Sequence, residues 1–170
     1  MKQNIATCHY ASPLGGITFA CDATALVGLW FDGQKHFGAG LDLSHDECSG
    51  NPVCESVRHW LNLYFSGQEP DFTPPLRWQA PPFRQIVWQQ LLTIPYGTTT
   101  TYGEIARRVA RQMGLSTMPA QAVGNAVGHN PVALIVPCHR VIAADGTLTG
   151  YAAGLERKHW LLQMEKQHSI

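Results

Sequence analysis

One short string, Pro137-Cys138-His139-Arg140, brings a thiol, an imidazole and a guanidinium together directly after the apolar run Val132-Ala133-Leu134-Ile135-Val136. A cysteine delivered from buried backbone is either inert packing or a reactive thiol. The neighbours favour reactivity, because His and Arg are costly beside an apolar run unless they are paired or used. An ordinary thiol has a pKa of about 8.5, so only a few per cent is thiolate at neutral pH and a nucleophile needs a nearby base or cation. His139 is the base at hand. Adjacent residues point in different directions on a strand or a helix, so direct contact between sulfur and ring is awkward and a bridging water is expected. The imidazole then needs a carboxylate to fix its tautomer and stabilise its protonated form. Glu165 can supply it: in a helix from Leu155 to about Lys166 it lies four residues after Leu161 and three after Leu162, on the apolar face. A buried carboxylate needs a partner; the alternative is a frayed, solvated position near the chain end.

The elements that must position this centre are short helices. Phe83 to Leu92 carries Phe83, Ile86, Val87, Gln90 and Leu91 at helical spacing, and Pro95-Tyr96-Gly97 ends it. Thr101-Tyr102-Gly103-Glu104 reads as a capping box, which puts Tyr102 in the first turn of a helix continued by Ile105, Ala106 and Val109. Ser116-Thr117 is expected to cap a third helix with Pro119 in its first turn, ending near Gly128. Two such helices joined by a turn containing Gly114 suggest a helix-turn-helix. In the third helix Ala120, Gly124 and Gly128 recur every four residues, a face almost without side chains that either approaches a partner closely or nests against a neighbouring helix. Val123 and Val127 mark its inward face.

The whole chain has 170 residues, 45% hydrophobic, enough for one large domain or two small ones with real cores. Prolines 70, 74, 75, 81 and 82 place a linker around residues 70 to 82. Upstream, Ile17 to Cys21 and Ala25 to Phe31 read as strands, and Pro52 to Phe65 as a helix carrying Val53, Val57, Trp60, Leu61 and Tyr64 inward. The expected class is α+β: a small mixed α/β domain over residues 1–78 and a mainly helical domain over 82–170. Cys8, Cys21, Cys48, Cys54 and Cys138, odd in number and irregularly spaced, suit a reducing compartment better than a disulfide framework. Cys48 and Cys54 with His45 or His59 match no compact zinc pattern. With no long apolar stretch, no membrane association is expected and the cytoplasm is the expected location. Net charge is zero, yet residues 1–81 hold four Lys and Arg against eight Asp and Glu, and residues 82–170 hold eight against four, giving −4 and +4. The basic half either meets a polyanion or attracts the acidic half.

Asn130-Pro131, the run Ile135 to Ile142 around Cys138, Asp145-Gly146 and Gly150-Tyr151-Ala152-Ala153-Gly154 together resemble the signature of the O6-alkylguanine-DNA alkyltransferases. The similarity runs in order from Phe83 to Glu165, and Ser12-Pro13-Leu14-Gly15 is similar to the start of that family's N-terminal domain. The resemblance implies that the helix-turn-helix enters the minor groove of double-stranded DNA and that the damaged nucleotide is rotated out into a pocket, at a cost of a few kcal/mol. It implies that Cys138 attacks the alkyl carbon on guanine O6, with His139 and Glu165 generating the thiolate through water and Asn130 supporting the turn. Tyr102 would displace the target phosphate and protonate the leaving guanine. Ala120, Gln121, Gly124 and Arg140 would face DNA. Backbone groups of Cys138, Val141 and Ala152 would read the base, Tyr151 and Ala153 would shape its pocket, and Lys158 and Arg140 would tune or brace it.

No cofactor or metal is implied, and the alkylated thioether would end activity after one turnover. Three departures stand out: Gln121 where many relatives have an intercalating arginine, Ala152 where some have serine, and Ala153 where some have glycine. A Cys-His hydrolase would use the same three side chains but turn over repeatedly. A non-enzymatic damage binder would lack the reactive cysteine. Nothing demands more than a monomer off DNA.

Overall fold

The computed structural model describes residues 5–43 and 50–169. The chain forms two compact units, Met1–Trp78 with Pro131–Ala133, and Gln79–Asn130 with Leu134–Ile170. Together they make an α+β protein, with a sheet in the first unit and helices dominating the second.

In the first unit β1 (Ala6–Ser12), β2 (Gly15–Cys21) and β3 (Leu26–Phe31) form an antiparallel sheet in that order. Ser12-Pro13-Leu14-Gly15 is the hairpin turn: Ser12 pairs with Gly15, and the Ser12 hydroxyl donates to the Gly15 carbonyl at 2.6 Å. α1 (Pro52–Phe65) begins with Pro52 just inside the helix and Asn51 as its cap, whose side-chain oxygen accepts from the Val53 amide at 2.9 Å. Its buried residues Val53, Cys54, Val57, Trp60, Leu61 and Tyr64 follow helical spacing. Cys54 hydrogen-bonds Cys21 of β2, and Arg58 lies 5.8 Å over the Phe19 ring, so α1 covers the face of Ile17, Phe19 and Cys21. The opposite face carries Ala20 and Trp30 with Ile5, Leu41 and Leu43. The outer edge of β3 is closed on both sides of Gly28: Leu26 exchanges backbone bonds with Pro75 and Arg77, and Leu29 with Pro131 and Ala133, at 2.7–3.0 Å. β1 lies outside the sequence expectation because ATCHYAS buries only Cys8 and carries no apolar alternation.

Cys8 corrects the expectation of unlinked thiols: it is disulfide-bonded, because distance along the chain does not report proximity in space. Cys48 and His45 lie outside the described residues. His59 stacks on Phe72 at 5.6 Å. Among the described residues no helix is long and apolar enough to cross a membrane.

The second unit comprises α2 (Pro82–Leu91), β4 (Thr100–Thr101), α3 (Tyr102–Met113), α4 (Ala120–Gly128), a 3-10 turn (Cys138–Arg140), β5 (Val141–Ile142) and α5 (Leu155–His168). Val87, Leu91, Ile105, Val109, Val123 and Leu161 are fully buried in its core, and the Trp88 indole N–H donates to the Ala126 carbonyl at 2.8 Å. Thr101 caps α3 as expected, accepting from the Glu104 amide at 3.1 Å. The reciprocal arm of the box is absent: the Glu104 carboxylate turns outward to Arg107 at 2.7 Å and Arg108 at 3.3 Å.

α4 starts later than expected. Pro119, not Ser116 or Thr117, is its N-cap and provides no side-chain bond. A proline disfavours helical backbone at the preceding residue, here Met118, which keeps 116–118 in the loop. The apolar run 132–136 is buried throughout but is not a strand: Val132 bridges Leu29, and the chain then turns through Leu134 at φ +69°. The parallel pairing of Thr100 with Val141 and Thr101 with Ile142 matters most for the site. β4 directly precedes Tyr102 and β5 directly follows Arg140, so two residues of ladder bring the start of α3 beside the cysteine turn.

Candidate active site

Cys138 opens the 3-10 turn, 7% exposed. Its backbone N–H donates to the Val136 carbonyl at 2.8 Å, and its carbonyl accepts from the Val141 amide. Asn130 braces the turn: its side-chain amide donates to the Val136 carbonyl at 2.8 Å and also hydrogen-bonds the Cys138 thiol. Burial pushes the Cys138 thiol above its ordinary range, while the bond to Asn130 and the positive charge of Lys158 pull it partly back. The resting group is therefore a protonated thiol set among groups that favour the anion.

His139 is fully buried, and its Nε2 lies 2.5 Å from Oε2 of Glu165. The other carboxylate oxygen of Glu165 accepts from Arg140 Nε at 2.7 Å and from the Gly97 amide at 3.2 Å. Burial alone would raise the Glu165 carboxyl, but His139 and Arg140 outweigh it and hold the group far below the usual carboxylate range. His139 moves down as well, because burial disfavours the imidazolium more than Glu165 supports it. An ionised carboxylate can only accept, so Nε2 carries the hydrogen and Nδ1 is the basic nitrogen of a neutral ring. Glu165 is thus buried and partnered rather than frayed, held by α5, which runs to His168 instead of ending near Lys166.

Lys158, on the first turns of α5, is fully buried. Its ammonium donates to the carbonyls of Val141 at 2.6 Å, Thr149 at 3.0 Å and Gly150 at 3.4 Å, and sits 6.0 Å over the Tyr102 ring. Burial brings it down to about 8, with Cys138 acting in the opposite direction. The Tyr102 hydroxyl donates to the same Thr149 carbonyl at 3.1 Å. Burial is the largest influence on that phenol and raises it, with Cys138 adding to the effect. Tyr151, Ala152 and Ala153 form the loop leading into α5, and the Tyr151 carbonyl accepts from the Gly154 amide at 2.9 Å. Ala153 is buried and its carbonyl accepts from Arg157 at 3.1 Å.

On α4, Ala120 and Gln121 are exposed and Gly124 is half-buried. With Tyr102 and Asn125 these residues line an open concavity of about 470 Å³. A methyl on Gly124 would meet the ring of Tyr102, the first residue of α3, at 3.8 Å, while one on Gly128 would meet nothing within 4 Å.

A model of the 6-O-methylguanine DNA methyltransferase DNA-binding domain matches residues 82–167, and one of the ribonuclease-like domain of the same proteins matches residues 8–78. This chain belongs to the 6-O-methylguanine DNA methyltransferase family. It is 51% identical over 159 residues to the methylated-DNA–protein-cysteine methyltransferase of Mycobacterium leprae, covering 94% of this chain and 91% of that one. The Mycobacterium tuberculosis OGT crystallised in complex with DNA is 39% identical, with a TM-score of 0.79 over 97% of this chain and 94% of that one. The Mycobacterium tuberculosis O6-methylguanine methyltransferase is 38% identical, with a TM-score of 0.78 over 98% and 95%.

Within this family member, Cys138, Asn130, His139, Glu165, Tyr102, Val141 and Lys158 are brought together in one unit as the sequence suggested. Arg140 is the correction. Expected both to face DNA and to tune or brace the pocket, it is 8% exposed, bound to Glu165 and to the Ile94 carbonyl at 2.8 Å, and lies over the Tyr96 ring at 5.6 Å, which leaves only the bracing place. A guanidinium enclosed in this way braces the carboxylate and cannot reach a phosphate. Ile94 and the following Pro95-Tyr96-Gly97, the latter expected only to end a helix, supply that carbonyl, that ring and the Gly97 amide. Gly97 has φ +78°, and a methyl there would lie 2.5 Å from Ser169 Cβ. A glycine just after Pro95-Tyr96 was the available signal, but its destination on α5 was not visible in the chain.

Proposed function

We propose that this protein repairs double-stranded DNA by moving an alkyl group from guanine O6 to Cys138, once per molecule. Support comes above all from the buried chain Arg140–Glu165–His139 adjoining Cys138: an ionised carboxylate fixes the imidazole so that its basic Nδ1 can take the thiol proton through one water. The sulfur then bonds to the alkyl carbon while the carbon–O6 bond breaks and its electron pair passes to the guanine. Tyr102 protonates that leaving group and is left as a phenolate, which regains a proton through solvent as the His139 imidazolium gives one up, so the net movement is one proton from thiol to guanine. To donate, the Tyr102 hydroxyl leaves the Thr149 carbonyl, which Lys158 continues to satisfy. The product is a thioether, and no group in the site can cleave it.

Access requires the nucleotide to leave the duplex. In this proposal α3, the 114–119 turn and α4 act as a helix-turn-helix in the minor groove, with Ala120 and Gly124 allowing close approach and Gln121 as an uncharged wedge. The concavity beside Tyr102 supports that assignment. Val141, Tyr151, Ala152, Ala153 and Lys158 shape the base pocket. Residues 82–170 form the DNA-binding and alkyl-accepting domain, residues 1–78 are structural, and the protein is a monomer off DNA.

The test is intact mass after incubation with a duplex bearing one O6-methylguanine, beside Cys138→Ser. One methyl on Cys138, saturating at one per molecule and absent from the variant, is expected. Lesion-selective binding without an adduct would replace transfer by damage recognition.

A further inference from the structure

The phenol oxygen of Tyr151 is shut off from solvent and has no hydrogen-bond partner among the described residues. Leaving such a donor unmade costs about 1–3 kcal/mol, so a buried orphan of this kind calls for a reason. Tyr151 as a whole is only half-buried, yet its hydroxyl is turned inward. The turn is well held: the Tyr151 carbonyl accepts from Gly154, and Lys158 holds the carbonyls of Thr149 and Gly150 just before it. The charges acting on the hydroxyl come from Cys138, Glu165 and Arg157. Around the sulfur, Asn130, Lys158, Tyr102 and His139 already have partners.

We propose that the Tyr151 hydroxyl is a catalytic hydrogen-bond donor to the Cys138 thiolate, idle while the sulfur is protonated and engaged once its proton has left. The proposal rests on Cys138 being the alkyl acceptor. A thiol sulfur is a weak acceptor and a thiolate a strong one, so the bond strengthens as charge develops and lowers the barrier rather than merely binding the resting state. No proton leaves the phenol. Burial, reinforced by the negative charges of Cys138 and Glu165, keeps Tyr151 protonated and therefore a donor.

The test uses the full chain without DNA: Cys138 is alkylated by iodoacetamide across a pH series and the adduct is read by mass, in the wild type, in Tyr151→Phe, and with 3-fluorotyrosine placed at position 151. Tyr151→Phe is expected to move the rising limb up by about one pH unit, slowing labelling about tenfold at neutral pH. The fluorinated phenol, a stronger donor, should move the limb down. With the O6-methylguanine duplex at saturation, Tyr151→Phe should slow transfer by a similar factor. Unmoved limbs in both variants, or a loss confined to DNA affinity, would reduce Tyr151 to a pocket wall. Should Tyr151→Phe fail to fold, the fluorotyrosine shift decides. A wild type that takes no methyl from the duplex would instead overturn the parent proposal, whatever the labelling shows.

Discussion

Each unit buries thiols, and the difference between them lies in what surrounds the sulfur. In the sheet unit, burial pushes Cys21 and Cys54 up; Cys54 and Asp22 raise Cys21 further, while Cys54 is opposed by its bond to Cys21 and by Arg58, a cation that is only half-buried. In the helical unit, burial also pushes Cys138 up, but Asn130 and Lys158 oppose it. The same contrast extends to the buried polar groups. The first unit buries Thr18, Asp22 and Gln34, and Asp22 is a turn hub that accepts from the Thr24 amide at 2.7 Å and the Ala25 amide at 2.8 Å and pairs with Arg77. The second buries Asn130, His139, Arg140, Lys158 and Glu165, of which four can carry charge. Burial makes a thiol inert by default; a donor and a cation at the same depth make it available.

The strongest way to break this contrast is Glu165→Gln. It leaves Arg140 buried without its counter-charge, a change that typically costs about 3–5 kcal/mol, and it removes the anion that orients His139. Urea denaturation should show that loss in the helical unit, together with near-complete loss of transfer to Cys138; an unchanged midpoint would mean that Arg140 finds other partners.

Acid sharpens the contrast without mutation. His139 has its folded pKa lowered, so below its unfolded value of about 6.5 the unfolded chain binds more protons and stability falls as pH drops. Glu165 is lowered too, and its contribution, present above its unfolded value of about 4.3, is lost on further acidification. Asp22 in the sheet unit is likewise lowered, by its Thr24 and Ala25 amide bonds against the opposing effect of burial, and responds only below about 3.9. Hydrogen exchange at pH 7 and pH 5 should therefore show α5 losing protection while β2 and β3 keep theirs. Equal protection at both pH values would mean that His139 is not held neutral.

Asn51→Ala should have the smallest effect. Losing the cap of α1 costs about 1 kcal/mol, visible as a lower thermal midpoint, with transfer to Cys138 unaltered. A slower transfer would show that the sheet unit contributes more than scaffold.

The candidate site was legible in the chain where it is encoded locally. Pro137-Cys138-His139-Arg140 is contiguous, Thr101 and Glu104 mark the start of a helix within four residues, and the phase of Glu165 against Leu161 and Leu162 follows from 3.6 residues per turn. The inward phase of α1 was readable for the same reason. What fails to show in a sequence is which distant groups meet. Arg140 could be read as a DNA contact or as a brace because a cation beside a cysteine has no address, and only the packing of α5 against the 3-10 turn assigns it to Glu165. Gly97 looked like punctuation until its amide met that carboxylate from 68 residues away. β1, an edge strand burying one residue, became a strand through pairing rather than pattern. By itself the sequence determined the reactive string, the helical phases and the cap of α3. The tertiary structure alone decided the partner of Arg140, the resting place of the Tyr102 hydroxyl on Thr149 and the isolation of Tyr151, because each depends on where a backbone carbonyl or carboxylate from another element comes to lie, and local propensity carries no record of that.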